Sequence, residues 1–114
     1  MNDTRGAMTW ARRSLVGVSV VFVLAGAQAL AVTPKTIGIT EFKYAPAVLT
    51  VPVGTTVRWV NHDEEPHTVT SATGEFSSPG LVNNETFVQT FKKRGTYAYS
   101  CALHPQMRAT VVVK

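Results

Sequence analysis

Cys101, His104 and Met107 fall within one seven-residue run, Cys-Ala-Leu-His-Pro-Gln-Met. That spacing puts a thiolate, an imidazole and a thioether on a single short loop. Three soft or borderline donors of different kinds suit copper, whose trigonal His2Cys sites carry a weak axial Met, better than structural zinc, which is closed by four Cys and His ligands. The missing imidazole has a candidate in His67. Pro66 fixes the chain just ahead of it, and it opens His-Thr-Val-Thr, a segment that can lie beside a strand ending at Cys101. Singly, each residue says little, because Met and Cys are more often core residues than ligands. The joint occurrence carries the argument. His62, in Asn-His-Asp-Glu-Glu, reads as a solvated turn residue and is not assigned to the metal.

A ligand loop needs a frame, and short segments rich in Val, Ile, Thr, Tyr and Phe supply it. Pro, Gly, Asn and Asp punctuate them, and no long stretch has a helical period. The expected strands are 36–42, 48–53, 55–61, 67–71, 85–91, 96–101 and 109–113, with turns at Gly54 and Gly95. Several short strands imply an all-β sandwich or barrel. Val57 and Trp59 should share the inner face with Arg58 outside, and Tyr97, Tyr99 and Cys101 should share an inner face, since side chains alternate along a strand. The Ser-, Gly- and Asn-rich segment 72–84 reads as a crossing loop, with a short strand or turn near 75–77. Gln89 falls at an inward position between Phe87 and Phe91, with no evident reason to be there.

The ends and the charges narrow the setting. Of 114 residues, the first 13 carry three Arg against one Asp, and 15–27 run without a charge. Small residues at Ala27, Ala29 and Ala31 offer cleavage sites, so 1–31 reads as an export signal and 32–114 as the working domain. The alternative for the same segment is a retained anchor, which would place the protein at a membrane; otherwise the expected location is the periplasm. Arg12-Arg13 hints at twin-arginine export. The formal charge of +4 shrinks in residues 32–114, which hold eight Lys or Arg and six Asp or Glu. No basic run is interleaved with aromatic residues, so nucleic acid is not an expected partner, and Lys92-Lys93-Arg94 reads as a solvated turn. A lone Cys in an exported chain cannot close an internal disulfide. It is inert, pairs with another molecule, or is kept as a thiolate by a metal.

These residues resemble the cupredoxin family of plastocyanin, pseudoazurin and amicyanin, and the short ligand loop is most similar to that of amicyanin. The resemblance covers Thr50-Val-Pro-Val-Gly-Thr-Thr-Val-Arg-Trp-Val-Asn61, Glu65-Pro-His-Thr-Val-Thr70, Gly95-Thr-Tyr-Ala-Tyr-Ser-Cys101 and Met107-Arg-Ala-Thr-Val-Val-Val113. It implies a cupredoxin-like Greek-key β-sandwich of about seven to eight strands with one type 1 copper at one end. His67, Cys101 and His104 are then the strong ligands and Met107 the long axial one. It also implies a monomeric carrier rather than an enzyme, cycling Cu(I) and Cu(II) and exchanging electrons through the exposed edge of His104. The partners expected are transient redox proteins such as a c-type cytochrome or a periplasmic dehydrogenase.

Departures from the pattern bear on partners. Thr68 stands where the family often has Asn, so the clamp between the two ligand loops must use a hydroxyl or backbone. Leu103 and Gln106 replace Pro and Phe around His104, which puts amicyanin's partner, methylamine dehydrogenase, in doubt. Asp63, Glu64 and Glu65 are expected to give the copper end an acidic edge suited to a basic partner. A copper storage or delivery protein of the same fold is the main rival reading. A thiol enzyme using Cys101 and His104 would leave Met107 unexplained.

Overall fold

The computed structural model describes residues 16–22 and 33–114. Most of the expected signal, 1–31, lies outside the described residues; 16–22 take no regular structure. Among the described residues, no helix is long and apolar enough to cross a membrane.

Residues 35–113 form eight strands: β1 (Lys35–Thr40), β2 (Lys43–Ala45), β3 (Val48–Val51), β4 (Thr56–Asn61), β5 (Thr70–Ser71), β6 (Thr86–Thr90), β7 (Gly95–Ser100) and β8 (Arg108–Val113). They make two four-stranded sheets, ordered β2-β1-β4-β6 and β3-β8-β7-β5. The all-β sandwich expected from the sequence is therefore present. The chain repeatedly changes sheets, and each sheet contains one parallel pair, β1 with β4 and β3 with β8. Antiparallel pairing of β7 with β8 runs from Gly95↔Val113 to Ser100↔Arg108, which carries the chain from one pole of the sandwich to the other.

Alternation decides what fills the space between the sheets. Ile37, Ile39, Val57 and Trp59 enter from the first sheet, and Val51, Tyr99, Val111 and Val113 from the second, all buried. Trp59 is the hub. Its ring meets Tyr99 edge-on at 5.5 Å between centroids and lies 5.9–6.4 Å from Phe87, Phe76 and Phe91. Arg58 faces outward, as the alternation requires.

Two expected strands differ from those observed. The segment 36–42 breaks at Thr40, turns through Glu41 and Phe42, and returns as β2, with Thr40 opposite Lys43. Both turn residues have left-handed backbone, φ 51° and 58°. A two-residue hairpin loop of this type normally holds Asn-Gly, and Glu-Phe gave no signal for it. Side chains with a Cβ cost roughly 1–3 kcal/mol each in such a conformation. The segment 67–71 is shorter than expected, because His67 bridges Leu81 and Thr70 also meets Ser77, leaving only Thr70–Ser71 to pair with β7. Within 72–84, the contact at Ser77 matches the short strand or turn expected there. Gln89 is half-buried on the edge strand β6 and lines a small cleft with Phe76, Phe91 and Tyr97 at the pole opposite Cys101.

Candidate metal centre

Cys101 follows β7 directly. Its Sγ points inward because Tyr99, two residues earlier, does so too; both are essentially inaccessible. The chain then turns through 102–106 and returns in β8, and the loop is closed by its own backbone: Cys101 N–H donates to Met107 O at 3.1 Å and Met107 N–H to His104 O at 2.9 Å. Met107 is buried, and His104 is partly exposed beside Leu103 and Pro105, which are open to solvent.

His67 enters from the other ligand loop, between β4 and β5, and is fully buried. Asn61 shapes that loop. Its amide donates to Glu65 O at 2.9 Å and Leu81 O at 2.8 Å, while its Oδ1 accepts from Asp63 N–H at 2.9 Å. His67 N–H donates to Leu81 O at 3.0 Å, and Leu81 N–H donates back to His67 O at 2.7 Å.

The donor atoms converge. Cys101 Sγ lies 3.9 Å from His67 Nδ1 and 3.7 Å from His104 Nδ1, and ligand atoms of all three residues fall within 4.8 Å of one another. Bonds of about 2.3 Å to sulfur and 2.0–2.1 Å to nitrogen, opened to a trigonal angle, require sulfur and nitrogen about 3.8 Å apart. The spacing therefore fits one first-row metal ion between them, and the His2Cys set with a buried Met close by in the loop fits copper. His67 has its other nitrogen committed: Nε2 donates to Asp63 Oδ2 at 2.8 Å, which turns Nδ1 toward the sulfur.

Thr68 ties the two loops together. Its N–H donates to Cys101 Sγ at 3.3 Å, and its Oγ1 accepts from Ala102 N–H at 2.7 Å. The clamp thus uses both hydroxyl and backbone. Tyr44 supports it from β2, donating its hydroxyl to Thr68 O at 2.5 Å while its ring meets Tyr99 edge-on. Burial, then the nearby Cys101 and Tyr99, push the Tyr44 phenol well above its ordinary range, so it stays a donor. Burial also pushes Tyr99 up to about 12.

Asp63 departs from expectation. Rather than edging the surface with Glu64 and Glu65, its side chain is only 11 % exposed and is fully engaged. Besides His67 it accepts N–H bonds from Glu41 at 2.7 Å and Phe42 at 2.9 Å. Burial raises its pKa, but those two N–H groups and the His67 ring outweigh it and hold the carboxyl below its ordinary range. Phe42, unnoticed in the sequence, meets both imidazoles edge-on, with centroids 4.9 Å from His67 and 4.9 Å from His104. An Asp four residues before a ligand His was the one available signal; nothing in the sequence marked Phe42. His62 is exposed and stands apart from the cluster, as expected.

Known proteins resemble this chain in sequence and fold. The family model of the cupredoxin-like domain matches residues 14–113. Amicyanin of Paracoccus denitrificans is 36 % identical over 83 residues, 68 % of this chain and 63 % of its own length, so the match spans somewhat less than two thirds of that relative. Amicyanin-alpha of Methylorubrum extorquens is 32 % identical over 111 residues, 89 % of this chain and 93 % of its own. Among solved structures, an oxidized amicyanin variant superposes with a TM-score of 0.67 at 35 % identity, covering 70 % of this chain and 81 % of that one. A copper-containing nitrite reductase from Thermus scotoductus gives 0.68 at 32 % identity, covering 72 % of this chain but 22 % of the reductase. The likeness to the reductase is therefore to one part of a much longer protein. With a family model that spans all eight strands and relatives 32–36 % identical, this chain belongs to the cupredoxin-like family.

Proposed function

We propose that this protein is a type 1 copper electron carrier of the periplasm, with His67, Cys101, His104 and Met107 as the ligands of one copper ion. The observation that carries the reading is the convergence of one thiol and two imidazole Nδ1 atoms at trigonal spacing on a rigid sandwich, with only His104 reaching solvent. Copper bound there supplies a one-electron couple whose two oxidation states tolerate one geometry. The chain supplies the rest. Thr68 N–H holds the sulfur, Asp63 holds the His67 ring, and the closed 101–107 loop keeps His104 at the surface.

Electrons pass through the partly exposed edge of His104, next in the chain to the exposed Leu103 and Pro105. Apolar surface of this kind favours small, short-lived contacts with a redox partner. Glu64 and Glu65, both exposed on the neighbouring loop, steer a basic partner such as a c-type cytochrome. The uncharged run in 15–27 supports export, and the fractionation of tagged protein with periplasmic markers tests it.

The purified protein is loaded with Cu(II) and cycled with ascorbate and oxidant while its visible spectrum is recorded. A carrier shows an intense blue thiolate-to-copper band that bleaches and returns over many cycles with no loss of metal. Colour that disappears together with copper, passed to an acceptor on reduction, would establish the storage and delivery reading instead.

A further inference from the structure

The turn between β1 and β2 is built from residues that oppose it. Glu41 and Phe42 both sit in left-handed backbone, where Asn-Gly is the natural choice, and Phe42 remains 38 % exposed. Burial of its ring is thus too incomplete to explain a bulky residue there. What the turn does achieve is specific. The Phe42 ring stands nearly perpendicular to His67 (81°) and His104 (88°), 4.9 Å from each, and those two rings are 5.0 Å apart. Three rings therefore form an almost equilateral triangle. Asp63 fixes its base, accepting both turn N–H groups and the His67 Nε2–H with one carboxylate. Strained backbone at a ligand site, held by the surrounding structure, points to a role in that site.

We propose that Phe42 is a positioning residue, a wedge that sets the planes of both imidazoles so that their Nδ1 atoms face Cys101 before metal arrives. Asp63 is the brace that holds the wedge in its turn. The inference rests on the copper reading for its consequence, slow metal loss, but its structural content concerns the metal-free protein.

The test exchanges the turn for the sequence it prefers. The double variant E41N/F42G should relieve backbone strain, so the metal-free protein melts at or above the wild-type temperature. In the same variant, Cu(II) should pass to excess EDTA about tenfold faster, at the lower end of what outer partners of metal ligands contribute. NMR of the metal-free protein should show the ring C–H resonances of His67 and His104 shifted and broadened relative to wild type. Phe42→Leu, which keeps the strained turn and removes only the ring, should show the same two changes, and it answers the question alone if the double variant does not fold. Phe42→Trp should retain wild-type release. Unchanged release and unchanged imidazole resonances in these variants would overturn the proposal. If wild-type protein takes up no copper, the copper reading fails, while the imidazole resonances still decide whether Phe42 positions the rings.

Discussion

At the pole where Cys101, His67 and His104 meet, directional bonds hold the buried groups: Asn61, Asp63, Thr68 and Tyr44 each engage named partners. Away from that pole, through the centre of the core to the far end, Trp59, Phe76, Phe91 and Tyr97 hold one another by ring contacts. The difference separates two jobs. Ring packing supplies stability and tolerates changes in detail, since apolar contacts are nondirectional. The polar pole specifies angles, which a metal site needs, and each missing partner there leaves a buried group unsatisfied.

The contrast can be broken most sharply at the sulfur. Cys101→Ser should abolish the blue band altogether while circular dichroism still reports the sandwich, because the hydroxyl removes the thiolate but little volume. Trp59→Ala should do the reverse. It should cost about 3–5 kcal/mol in chemical denaturation, yet the folded fraction should keep its band position. Thr68→Val tests the join between the two poles. It removes the acceptor for Ala102 N–H and should cost about 1–3 kcal/mol, with copper lost faster, as the two ligand loops come apart.

The smallest effect lies on the crossing loop. Glu75 accepts from the hydroxyls of Ser71 and Thr73, and these bonds hold its carboxyl below the ordinary range. A folded pKa below the unfolded one means that its contribution is complete above the unfolded value and fades as pH falls through the folded value. The melting temperature of Glu75→Gln should therefore trail wild type at neutral pH, and the gap should close as the pH falls through the folded value. A gap that persists at the lower pH would assign the loss to packing instead of charge.

Much of the polar pole was legible because its candidate donor residues differ in chemistry from their surroundings. Cys101, His104 and Met107 stand out in a strand-rich sequence, and the proline before His67 marks a turn. The inner faces of β4 and β7 were equally clear from alternation at Val57, Trp59, Tyr97 and Tyr99. What escaped was set by distance along the chain. Phe42 reaches His104 from a hairpin sixty-two positions earlier in the sequence. That hairpin was hidden because Glu-Phe has no local preference for a tight turn, and only the carboxylate of Asp63, supplied from another loop, makes the turn tenable. Asp63 itself looked like one of three surface acids, and burial by its neighbours alone distinguishes it from Glu64 and Glu65. The short reach of β5 had a similar cause, since Leu81 captures the backbone of His67 that would otherwise have extended the strand.

The placement of β8 has a consequence in time. Although last of the eight strands in chain order, it lies inside its sheet, parallel to β3 and antiparallel to β7. A polypeptide emerging from its N-terminus can assemble β1, β2 and β4, but β3 has no neighbour until β8 arrives, and such distant pairings form slowly. Three of the four donor residues belong to the segment leading into that final strand. While the chain is being made, His67 alone of the four is thus on offer, and it is a poor trap for any ion. Closing the sheet and completing the binding site become a single event, so the half-made molecule has no vacancy in which the wrong metal could lodge.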